Sequence, residues 1–129
     1  MENLTKASPA IFLDIGGSER RFGFTMKSMG RIIALTGKNP MKGELDGNDP
    51  ADLAILVWAG LITFDKSLDG TVIKSPEKGQ PGKGDENVLK SIELVEEWMS
   101  FDRLPEISEA VSLAFQAANP SESKKKKLP

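Results

Sequence analysis

Between Asp49 and Asp65 the chain reads Asp-Pro-Ala-Asp-Leu-Ala-Ile-Leu-Val-Trp-Ala-Gly-Leu-Ile-Thr-Phe-Asp, and from Leu53 to Phe64 it is apolar almost all the way round a helical wheel. A surface helix keeps a polar stripe toward water, so this one belongs at the centre of a core. It is also too short to cross a bilayer, which takes about 20 apolar residues in helical form. Its start is written locally: Asp49 can accept from free first-turn amides, Pro50 has the φ of a first helical position, and Asp52 puts negative charge at the positive end of the dipole. Gly60 leaves room for a crossing neighbour at an intrinsic cost of about 1 kcal/mol against Ala. Trp58 brings the largest apolar area in the element and an indole N–H that needs a partner when buried. It reads as core packing rather than as a ligand-stacking surface.

The remaining elements have to cover this helix. Ala10 to Ile15 alternates, with Ile11, Leu13 and Ile15 on one face and Phe12 and Asp14 on the other, which predicts a strand. Gly16-Gly17-Ser18 follows, and beyond it Arg20, Phe22 and Phe24 alternate with Glu19, Arg21 and Gly23, so the pair reads as a β-hairpin. A phosphate-binding turn is not favoured, because no Lys-Ser/Thr pair follows the glycines and the second arm reads as a strand. Thr25 is a helix cap; Met26, Met29, Ile32 and Ile33 share one side of the helix it opens, to about Leu35, and Gly37 closes it. Lys38 to Asn48 is a polar connection carrying Asn39-Pro40, Gly43 and Asp46-Gly47. Residues 65–84, rich in Gly and Pro with only Val72-Ile73 as an apolar pair, read as a long mobile loop.

Asp85 opens an amphipathic helix with Val88, Leu89, Ile92, Val95, Trp98 and Met99 inward and Glu93, Glu96 and Glu97 opposite. After a break at Ser100 to Leu104, a last helix begins at Pro105 with Ile107, Val111, Ala114, Phe115 and Ala118 on its inner face and Asn119-Pro120 at its end. The expected fold class is therefore α+β and mainly helical: an N-terminal β-hairpin followed by about four helices, with the long loop before the third. Residues 1–9 read as a loosely held lead-in, 10–120 as a single domain, and 121–129 as a disordered basic tail.

Composition narrows the chemistry. The 129 residues contain neither Cys nor His, which removes thiolate or imidazole zinc sites, Cys–His pairs and the Ser–His–Asp arrangement. No disulfide can form and no signal-peptide pattern opens the chain, so a cytoplasmic location is expected. The net charge is −2, but the tail from Ser121 holds four Lys and one Glu, leaving an acidic body unsuited to nucleic acid. No membrane partner is expected either. One metal-like pattern occurs, Asp65-x-Ser67-x-Asp69-Gly70, which matches the first half of a calcium loop. Its twelfth position is Pro76 rather than a bidentate Glu, so no metal site and no cofactor is assigned. The carboxylates of Glu93, Glu96, Glu97, Glu106 and Glu109 read as solvated helix faces, and no catalytic residue is assigned. A hydrolase built on Ser, Lys and Asp is the least favoured class.

The order of elements, with Asp14-Ile15-Gly16-Gly17 leading to Phe22-Gly23-Phe24-Thr25 and with Leu56-Val57-Trp58-Ala59-Gly60-Leu61 in the central helix, resembles the tail assembly chaperones of long-tailed bacteriophages and gene transfer agents. The resemblance spans roughly residues 10 to 118, and residues 75–84 look like an insertion relative to that family. It implies a non-enzymatic protein of the infected host's cytoplasm, absent from the finished virion, that coats an extended tape measure protein and helps recruit tail tube subunits around it. A structural head–tail or tail component is the competing reading. Met26, Met29 and Met99 are the candidate partner-binding side chains, because thioethers adapt to varied surfaces. The run Lys124, Lys125, Lys126 and Lys127 can meet an acidic surface. The resemblance adds a further expectation there: consecutive Lys codons are runs of adenine on which a ribosome can slip, giving a longer frameshifted form that recruits tail tube protein.

Overall fold

The computed structural model describes residues 10–118. Its first element is an antiparallel hairpin of β1 (Ile11–Ile15) and β2 (Ser18–Phe22), paired from Ile11 opposite Phe22 to Ile15 opposite Ser18. Gly16 and Gly17, at φ 66° and 82°, form the two-residue connection. Positive φ at both positions matches the right-handed twist of the strands, and only glycine adopts it without steric cost. Four helices follow: α1 (Met26–Thr36), α2 (Pro50–Ile62), α3 (Glu86–Trp98) and α4 (Leu104–Ala118). The fold is α+β and mainly helical, an N-terminal hairpin followed by four helices.

Helix α2 is the axis of the domain. Asp49 caps it by accepting from the Ala51 amide at 2.9 Å, and Pro50 is its first residue. Helices α1, α3 and α4 and strand β2 all pack on it. Ala54, Val57, Trp58 and Ala59 are wholly buried. The indole N–H of Trp58 donates to the Leu68 carbonyl at 2.8 Å, so the largest core side chain leaves no polar atom unpaired. Among the described residues, no buried side-chain nitrogen or oxygen lacks a hydrogen-bond partner.

Gly60 is where the hairpin meets the axis. A Cβ built on it would collide with the ring of Phe22, whose Cδ1 lies 2.8 Å from that position. The Gly23 amide donates to the Gly60 carbonyl at 3.1 Å, and the Thr63 hydroxyl donates to the Gly23 carbonyl at 2.7 Å. The missing side chain thus lets an aromatic ring and two backbone-anchored hydrogen bonds seat the hairpin on the helix.

The segment read as a long loop carries structure of its own. Residues 66–68 form a 3₁₀ turn capped by Asp65, and β3 (Val72–Ile73) pairs antiparallel with β4 (Lys83–Gly84). The Gly82 amide donates to the Leu35 carbonyl at 2.9 Å, which ties this small ladder to the end of α1. Two-residue strands carry almost no periodicity, so the pattern of apolar residues could not reveal them. Three positions on inward stripes also sit elsewhere than expected: Phe64 lies past the end of α2 and is exposed, and Leu89 and Ala118 face outward. Ala110, on α4, takes a core place instead. Residues 1–9 and 119–129, and with them the lead-in, the Asn119-Pro120 stop and the basic tail, lie outside the described residues.

Candidate interaction surface

The methionines expected to bind a partner do not share a surface. Met26, the first residue of α1, is 80% exposed. Met29 is buried in the core at 4%: it shares a face of the helix with Met26, but lies one turn further in, where the stripe packs against the core, while Met26 at the first position projects into solvent. Met99 follows α3 and packs half-buried against the core. A sequence stripe locates the side of a helix that carries apolar residues but does not say where solvent begins, so Met29 is corrected from contact candidate to core residue. Lys124, Lys125, Lys126 and Lys127 lie outside the described residues.

The half calcium motif is an electrostatic tie rather than a converging ligand set. Asp65 accepts from the Ser67 amide and hydroxyl and pairs with Arg20 at 3.4 Å. Asp69 is held by Arg31 at 3.0 Å and Lys27 at 3.5 Å, and accepts from the Gly70 amide. Burial works to raise the Asp69 pKa, but the Arg31 and Gly70 hydrogen bonds and the charges of Arg31 and Lys27 outweigh it and hold the carboxyl below its ordinary value. Asp85 serves the same junction: it accepts from the Thr71 amide at 3.0 Å and caps α3 through the Val88 amide at 2.9 Å. Those amides hold it ionised to lower pH than usual. Among the described residues no three Asp or Glu side chains are grouped to hold a metal ion. The carboxylates of Glu93, Glu96 and Glu97 are exposed along α3, and Glu106 accepts a two-pronged hydrogen bond from Arg103.

A surface that no sequence stripe announced lies on the outer face of the hairpin. Phe12 and Arg21 are direct cross-strand partners and point outward, the arrangement that brings side chains on one face of a ladder together. The Arg21 guanidinium stacks on the ring of Phe64 with its carbon 4.6 Å from the centroid. Phe64 in turn lies over Gly23, 3.3 Å from where a Cβ would stand. Phe12 and Phe64 remain 53% and 46% exposed, the first opposite Arg21 in the strand register and the second stacked against its guanidinium.

Beside them the hairpin and the last turns of α4 leave a groove of about 150 Å³. Ile11, Phe22 and Phe24 line its hairpin side, Ala114, Ala117 and Ala118 its helical side, and Arg21 and Phe64 its rim. The small alanines keep α4 from filling the space, while Phe24 closes its base against Phe115 with ring centroids 4.6 Å apart. The only sequence signal for this surface was Phe12, an aromatic residue on the polar face of β1.

No family model matches the chain, and the searches of curated proteins and of solved structures found no match to it. Among the described residues no helix is long and apolar enough to cross a membrane.

Proposed function

We propose that this chain is a tail assembly chaperone of a long-tailed bacteriophage or gene transfer agent: a non-enzymatic protein of the host cytoplasm that binds the tape measure protein and assists assembly of the tail tube around it. The observation that carries this reading is the outer hairpin face, where Phe12 and Phe64 stay exposed beside an open groove. Large aromatic side chains left in solvent mark a face that a partner can cover, and a long helical tape offers apolar stripes that need cover before the tube closes round them. The motifs Asp14-Ile15-Gly16-Gly17 and Leu56-Val57-Trp58-Ala59-Gly60-Leu61 support the same family. A longer form arises by slippage at the codons for Lys124 to Lys127 and brings tail tube protein to the coated tape.

Co-expression with the tape measure protein of the same phage or gene transfer agent tests the reading. The tape should become soluble only with this chain present and should co-purify with it. Equal solubility with and without the chain, and no co-purification, would overturn it. Stable rings or tubes of the isolated chain would favour a structural tail component instead. The frameshift is tested at the locus: an unbroken adenine run, an overlapping downstream frame and a larger product by mass spectrometry are expected together.

A further inference from the structure

The N-terminal hairpin pairs its two strands with each other and with no third strand. Its two-residue turn closes on a hydrogen-bonded pair, Ile15 with Ser18, and such pairs alternate along an antiparallel ladder. Leu13 with Arg20 and Ile11 with Phe22 are therefore bonded pairs, while Phe12 with Arg21 and Asp14 with Glu19 are not. The amides and carbonyls of Phe12 and Asp14 point away from β2, and those of Glu19 and Arg21 away from β1. Among the described residues, none of these four has a backbone partner elsewhere in the fold. The two edges differ in how they are guarded. Strand β2 reads Ser-Glu-Arg-Arg-Phe, and consecutive charges on an edge oppose the approach of another strand. Strand β1 reads Ile-Phe-Leu-Asp-Ile, with neither Lys nor Pro and a single charge, and Ala10, Phe12 and Asp14 are exposed along it. Its free donors and acceptors form a row that another extended strand matches group for group.

We infer that β1 pairs antiparallel with β1 of a second copy of this chain about a two-fold axis at Phe12, joining two hairpins into one four-stranded sheet. The side chains select both the occupant and the register. An axis at Asp14 sets two carboxylates directly opposite each other, and an axis at Leu13 sets each carboxylate against an aromatic ring. An axis at Phe12 instead pairs the two Phe12 rings on the outer face, places Asp14 opposite Ala10 of the second copy, and brings Ile11 opposite Leu13 on the inner face. Phe12 then exchanges both backbone hydrogen bonds with its own counterpart, and Asp14 exchanges both with Ala10. The strand is thus complementary to itself, as a two-fold interface requires. The charged β2 edges end the sheet on both sides, so association stops at a dimer. Two strands alone are marginal, whereas four with an apolar face are not. The pairing does not rest on the chaperone reading; it would double the outer face, with Arg21 and Phe12 of each copy in one row.

Sedimentation velocity of the full chain over a range of concentrations tests the pairing, together with amide hydrogen exchange read by nuclear magnetic resonance. The mass should rise with concentration from 14.0 kDa to twice that and no further. The Leu13 amide, bonded within the hairpin, should be protected at every concentration, whereas the Phe12 and Asp14 amides should gain protection only as the dimer forms. Asp14→Pro removes an outward amide and no hydrogen bond of the hairpin itself, so it should abolish the dimer without loss of helical ellipticity. Phe12→Lys and Phe12→Glu should each be monomeric alone and form a mixed dimer together, because this position faces itself and opposite charges pair across strands. These two variants keep every backbone amide and decide the matter even where Asp14→Pro fails to fold. A chain that stays at 14.0 kDa at every concentration overturns the inference. So does a dimer whose Phe12 and Asp14 amides exchange freely, a failure of the two Phe12 variants to pair when mixed, or growth beyond a dimer. No readout involves the tape measure protein, so the chaperone reading stands or falls separately in the co-expression experiment.

Discussion

At the scale of single residues, Gly60 and Trp58 decide whether the hairpin and helices share one core. Ala is the better helix former by about 1 kcal/mol, so propensity alone makes Gly60→Ala stabilising. The Phe22 ring occupies the place the new methyl would need, and overpacking of this kind costs about 1 to 3 kcal/mol. Gly60→Ala is therefore expected to lower the denaturant midpoint, and Phe22→Leu in the same chain should recover part of the loss, since the two sites touch and their effects do not add. A Gly60→Ala variant more stable than the wild type would mean that the hairpin does not dock as described. Trp58→Ala removes a fully buried side chain and the hydrogen bond to Leu68; a loss of about 3 to 5 kcal/mol is expected from the cavity and lost packing. A melting temperature within a degree or two of the wild type would contradict the placement of α2 at the centre.

At the scale of elements, the junction of α1, the turn at residues 66–68 and the start of α3 is held by carboxylates. Asp69 binds Arg31 and Lys27 from α1, and Asp85 caps α3 while holding Thr71. Asn87, in the first turn of α3, donates to the carbonyls of Ser67 and Asp69 and completes the tie. Both aspartates have folded-state pKa values below their ordinary ones, so the folded chain binds fewer protons than the unfolded chain, whose Asp titrates at about 3.9. Their contribution is complete above that pH and is lost as the pH falls through the lower folded values. The melting temperature should hold steady from neutrality to about pH 5 and decline below about pH 4. Asp69→Asn should melt lower at neutral pH and show a shallower decline in acid, because one of the titrating ties is already gone. Parallel acid limbs for the wild type and Asp69→Asn would show that this junction does not depend on the charge.

At the scale of the whole molecule, α2 contacts every other helix and the hairpin, which predicts one cooperative transition. Fluorescence reports Trp58 in the core and Trp98, whose ring lies on Gly16 at the hairpin turn with Arg20 stacked 4.5 Å from its centroid. Far-ultraviolet ellipticity reports the helices. The two signals should give coincident midpoints in denaturant, and a fluorescence change that precedes the loss of helix would mean that the hairpin parts from the helical body first.

How much of the molecule is legible in its sequence follows from the range of the forces involved. The apolar run from Leu53, the Asp49-Pro50 start, the Gly16-Gly17 turn, and the caps at Thr25, Gly37 and Asp85 are local: each depends on residues within a turn of itself, so residue order alone determines it. The same locality determines the fold class and the burial of Trp58. Where water ends is a property of the assembled chain, and there the stripes are ambiguous: Met26 and Met29 lie on one side of α1 in sequence, yet one is in solvent and the other in the core. The two-residue ladder of Val72-Ile73 with Lys83-Gly84 depends on the partner strand and on the Leu35 carbonyl, neither of which a short apolar pair announces. The candidate surface is the least legible of all. Phe12, Arg21, Phe64 and Ala117 come from two strands, the end of one helix and the last turns of another, and no spacing in the chain relates them. Only the docking of the hairpin over Gly60 brings them together, because that contact fixes which face of a two-stranded ribbon remains open to a partner.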